Sequence, residues 1–121
     1  MTRILRLGAA AAVLAIYGAP VWAHHSVAAE FDTNKQGELQ GEITRVWFTN
    51  PHVRYQLTVT NEDGTTEEWE LQGGNVTNLR AQGWLENSIK VGDQVTVMGN
   101  LGRGDAKKLQ ISELDMGKHH L

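Results

Sequence analysis

No cysteine occurs among the 121 residues. That absence removes disulfide frameworks, thiolate catalysis, iron–sulfur clusters, Cys-based zinc sites and a lipid-modified cysteine anchor. Only 2 prolines stand against 13 glycines, with 40% apolar and 21% charged residues. This balance describes one turn-rich globular domain rather than a disordered chain. No Gly-x-Ser-x-Gly, His-Glu-x-x-His or phosphate-loop pattern is present. The carboxylates at Glu62, Asp63, Glu67, Glu68 and Glu70 crowd one segment without the spacing of a general acid and base. The sequence therefore argues against an enzyme more than for one.

No apolar run reaches the roughly 20 residues of a membrane span. What is present is Arg3 and Arg6, then 12 apolar residues from Leu7 to Gly18, then Val21-Trp22-Ala23, which fits a small-x-small cleavage site. A signal peptide over 1–23 is expected, with cleavage after Ala23 and release into the periplasm of a two-membrane bacterium. The mature chain then has no membrane span and keeps 9 basic and 14 acidic side chains, a net charge of −5. That sign opposes the basic footprint on which phosphate-backbone binding depends, so nucleic acid is not expected as a partner.

After an N-terminal arm over 24–36, short segments of period-two alternation are separated by turn signals. Glu38 to Phe48 holds Ile43, Val46 and Phe48, and a β-bulge near Arg45 is needed for all three to face inward. In His52 to Thr60, Val53, Tyr55, Leu57 and Val59 share one face. Asp63-Gly64 suits a hairpin turn into Thr65 to Gln72, where Glu67, Trp69 and Leu71 share a face. Asn75 caps a short helix stopped by Gly83, and Trp84 packs that helix onto the sheet. Gln94 to Gly99 and Lys108 to Leu114 complete the pattern, followed by a tail over 115–121. Three strands, a helix and two strands over 37–114 predict an all-β domain with one short helix, a five-stranded OB-like barrel. An open α+β meander has the same elements without closure. The expected core is Tyr55, Leu57, Val59, Trp69, Leu71, Leu79, Val95, Val97, Leu109 and Ile111. No long apolar edge is evident, so a monomer or weak dimer is expected.

Several short motifs stand in order: His24-His25-Ser26, Phe31-Asp32, Phe48 with Asn50-Pro51-His52, Gly83-Trp84 and Gly92-Asp93. In these the chain resembles a group of small exported bacterial proteins of unknown function. Gln36 departs from it, standing where relatives would carry proline. The resemblance implies a fold and a compartment but no activity.

Two candidate sites follow from the residues. If cleavage falls after Ala23, the α-amino group and imidazole of His24 form one chelate ring, and His52, with His25 as a further or alternative ligand, completes a nitrogen set suited to copper. Alternatively these histidines are solvated or belong to a turn. His119 and His120 read as adventitious. If Val46 and Phe48 face inward, Trp47 faces out, and with Asn50, His52 and Arg54 it walls a groove for a small ligand, a peptide or a partner protein without metal. The competing reading is a single exposed aromatic without a role. Asn75-Val76-Thr77 matches a glycosylation sequon, but Asn75 already serves as a cap.

Overall fold

A computed structural model describes residues 28–116. Its strands are β1 (Phe31–Trp47), β2 (Arg54–Thr60), β3 (Thr66–Gln72), β4 (Gln94–Gly102) and β5 (Lys108–Asp115), with one helix, α1 (Val76–Ala81), between β3 and β4. Ala28–Glu30 is also helical. The sheet closes in the order β1-β2-β3-β5-β4, which makes the molecule an OB-type barrel and not an open meander. No helix among the described residues is long and apolar enough to cross a membrane.

Closure rests on the length of β1. Its first part pairs with β4 and its last part with β2, and Glu42 is opposite both Gln94 and Thr58. The β1–β2 register shifts between Ile43 and Arg45, so Thr44 is the extra residue of a bulge. A bulge offsets the two-residue period by one, and Ile43 and Val46 consequently both meet the interior. The Lys90–Asp93 turn docks beside that bulge. Ile43 donates its N–H to the Asp93 carbonyl at 2.9 Å and accepts from Gly92 N–H at 2.7 Å.

β1 begins earlier than the alternation suggests. Phe31 and Asp32 already pair with β4, but the register shifts between Asp32 and Gln36, so no single period runs through both parts. Phe31, 1% exposed, is buried apart from the main cluster.

The hairpin between β2 and β3 forms as its residues dictate. Gly64 takes φ +86, and the Asp63 carboxylate accepts from the Thr65 amide at 3.0 Å and its hydroxyl at 2.6 Å. These two donors hold the Asp63 carboxyl below its ordinary range.

In α1, Asn75 accepts from Asn78 N–H at 2.8 Å, and Gly83 ends the helix at φ +90. Leu79 and Trp84 then join the core, linked by a Trp84 N–H to Leu79 carbonyl bond of 2.9 Å.

Seven of the ten expected core residues are buried: Tyr55, Leu57, Leu71, Leu79, Val95, Val97 and Leu109. Val59, Trp69 and Ile111 pack against the cluster while keeping part of their surface in solvent. Ile89 and Leu114 are buried as well, Ile89 from a loop with no periodicity to announce it.

Burial pushes the Tyr55 hydroxyl up to about 12. The folded state therefore holds this proton more tightly than the unfolded chain, whose tyrosine titrates near 10. Its contribution to stability is full below about pH 10 and is lost as pH rises toward about 12. Ultraviolet difference titration of the wild type against Tyr55→Phe should show the Tyr55 transition near pH 12. A transition at about pH 10 would contradict its burial.

Candidate binding face

The outer surface of β1, β2 and β3 is built by register. Trp47 lies opposite Arg54, and Arg45 opposite Gln56. Residues two apart on a strand share a face, so Arg45 and Trp47 stand side by side on β1 with Arg54 across from them. Their guanidinium carbons sit 5.9 Å (Arg45) and 5.2 Å (Arg54) from the Trp47 ring centroid. Each contact is worth roughly 0.5–1 kcal/mol at an exposed site and limits where the indole can turn.

Ion pairs extend this cluster across the sheet. Arg54 meets Glu70 at 3.2 Å, and Lys108 reaches Glu70 at 3.8 Å and Glu30 at 3.3 Å. Lys107 lies 3.8 Å from Glu67. All are solvent-accessible, and such pairs contribute at most about 1 kcal/mol each. Their effect is positional: the segment at Glu30 is tied to the edge of the Trp47 face. Arg103 reinforces this by donating from its side chain to the Ala28 carbonyl at 2.6 Å.

Glu68 is held differently. Gln56 donates to one carboxylate oxygen at 2.8 Å, and the Thr58 hydroxyl lies 2.8 and 3.0 Å from the two oxygens. Two shallow depressions meet at Gln56 and Glu68. One, about 360 Å³, is bounded by Thr44, Arg45 and Thr58. The other, about 390 Å³, reaches Trp47, Trp69 and the β4–β5 loop.

Of the residues read from sequence as a groove, the fold brings two together. Trp47 and Arg54 are in contact on the outer face. Asn50 is occupied elsewhere, since its side-chain oxygen accepts from Val76 N–H at 2.9 Å and ties the β1–β2 loop to the start of α1. His52 is half-buried in that loop, after a cis Asn50–Pro51 peptide, and borders neither depression. Arg45 was not among the expected groove residues. Its signal was its spacing, two residues before an outward tryptophan and on that tryptophan's side of the bulge.

Of the three candidate copper ligands, His24 and His25 lie outside the described residues, as do His119 and His120. Among the described residues no group of three or more His, Cys, Asp or Glu is placed to hold a metal.

A closed five-stranded barrel with the strand order β1-β2-β3-β5-β4 is an OB-type barrel. The chain belongs to the family of unknown function DUF6152, whose model matches residues 11–110. No curated protein matches it significantly. Among solved structures it is similar to the mitochondrial single-stranded DNA-binding protein Rim1 of S. cerevisiae. The TM-score is 0.54 at 12% identity, covering 69% of this chain and 92% of Rim1. The N-terminal domain of PriB from Thermoanaerobacter tencongensis gives 0.52 at 16% identity, covering 68% and 94%. A small single-stranded DNA-binding protein from Streptomyces coelicolor gives 0.50 at 20% identity, covering 68% and 91%. At these identities the likeness shows the fold.

It also corrects the exclusion of nucleic acid drawn from net charge. Proteins of this architecture include single-stranded DNA-binding proteins, and a whole-chain sum does not describe one face. Here Arg45, Arg54, Lys107 and Lys108 stand around Trp47 together with Glu68 and Glu70, a local mixture that the whole-chain sum does not reveal.

Proposed function

We propose that this protein is a binding module acting outside the cytoplasm, and that its ligand lies across the outer face of β1, β2 and β3 with Trp47 as anchor. The observation that carries this reading is the pair of guanidinium groups near one outward indole, at 5.9 and 5.2 Å from its ring centroid. An aromatic ring steadied on a rigid sheet offers contact area at little entropic cost. Export is supported by Arg3, Arg6, the apolar run Leu7 to Gly18 and Val21-Trp22-Ala23. Copper is not needed for this reading, and among the described residues no histidine borders either depression.

The test is retention of the full chain on immobilised oligosaccharides, single-stranded dT oligonucleotides and peptides. Trp47→Ala should weaken the retained ligand at least tenfold, as expected for loss of about 1.4 kcal/mol or more, with little change in thermal midpoint. Equal retention by Trp47→Ala would overturn the reading.

A further inference from the structure

We propose that the depression at the β3–β5 seam is a subsite for a neutral oligosaccharide, a proposal that rests on the binding-face reading above and names its ligand class. β3 pairs with β5 only over Glu70–Gln72. Thr66–Trp69 extends beyond that short parallel seam, and the depression of about 390 Å³ opens there, within the range of small-ligand sites.

Two indoles reach this space from opposite faces of the sheet. Trp47 comes from the outer face, and Trp69, half-buried against the core, comes from the inner one. Trp69 donates its ring N–H to Glu67 at 3.0 Å, which leaves its ring surface as the part that meets a ligand. Flat apolar ring surface suits the C–H face of a sugar.

Around the rings stand Gln56, Glu68 and Glu70 with Lys107 and Lys108. The two carboxylates and two ammonium groups cancel, so the depression carries no formal charge. Both cations already face carboxylates, Lys107 at Glu67 and Lys108 at Glu70 and Glu30. A polyanion would have to break those pairs and would approach Glu68, which no cation neutralises in an ion pair among the described residues. Sugar hydroxyls, each both donor and acceptor, match alternating carboxylates, amide and ammonium groups without displacing any of them.

The experiment is titration of the full chain with neutral oligosaccharides of glucose and of N-acetylglucosamine, and with single-stranded dT, at 50 and 500 mM NaCl. For the sugar, affinity should change less than about twofold with salt, whereas single-strand binding falls steeply with salt through counterion release. Glu68→Gln should weaken sugar binding several-fold, and the same change would strengthen a polyanion by removing a like charge. Trp47→Ala should lower sugar affinity at least tenfold. Retention of dT or peptide alone, lost in Trp47→Ala, would overturn the sugar assignment while leaving the binding face standing. If Trp47→Ala alters the retention of no probe, both fall.

Discussion

Gly99→Ala is expected to cost about 3 kcal/mol or more, the upper part of the range for forcing an atom into packed structure. Gly99 lies in β4 between Gly37 on β1 and Ile111 on β5, where the β4–β5 register shifts after Met98. A Cβ there would stand 2.8 Å from the carbonyl carbon of Gln110 and closer still to its oxygen. The obstacle is backbone, so no side-chain rotation relieves it. Either the β4–β5 pairing opens or the strand shifts, and both disturb the closure of the barrel. Gly74→Ala is the control, because a Cβ at Gly74 meets nothing within 4 Å. Urea unfolding of the two variants should separate them by several kcal/mol, and a loss below about 0.5 kcal/mol for Gly99→Ala would contradict the close approach.

Leu57→Ala should cost about 2 to 5 kcal/mol. Leu57 is wholly buried near the middle of β2, opposite Ile43 on β1 and Trp69 on β3. Truncating it leaves a void between neighbours fixed by ladder hydrogen bonds, which limits collapse into the gap. Thr60→Ala, at the exposed end of the same strand, should stay within about 0.5 kcal/mol. Comparable small losses in both variants would mean that the faces of β2 are reversed, since a one-residue slip exchanges them.

Much of this fold is legible in the residues because the barrel is made of local rules. Val53, Tyr55, Leu57 and Val59 alternate cleanly, and all four meet the core. Asp63-Gly64 and Asn75 to Gly83 are punctuation whose conformational demands are met by few other residues. The bulge at Thr44 was required by an odd step between apolar positions. Where the reading stopped, the cause was long-range. Phe31 is in a strand, but Thr33, Asn34 and Lys35 interrupt its period, and only pairing with β4 defines it. Ile89 is buried because the loop folds inward, a matter of packing without a sequence period.

The candidate site divides the same way. Trp47 facing outward follows from parity once the bulge is placed, and its contact with Arg54 is a cross-strand neighbour relation. Asn50 and His52 are adjacent in sequence to that cluster, yet the loop turns Asn50 toward α1. Glu70, Lys107 and Lys108 converge only through the parallel β3–β5 seam, a pairing between segments separated by the helix and a whole strand. Net charge misled for a related reason, since a whole-chain sum carries no information about how charges are placed around one ring.

The central claim is that ligand binds the outer face of β1, β2 and β3. Its most direct test is amide and indole chemical-shift mapping of the ¹⁵N-labelled chain, titrated with whichever probe is retained in the binding assay. The largest shifts should fall on the Trp47 indole N–H and on the amides of Arg45, Arg54, Gln56 and Glu68. Shifts concentrated instead on Gln40, Thr96 and Met98, on the β1–β4–β5 side, with the Trp47 indole unmoved, would contradict it.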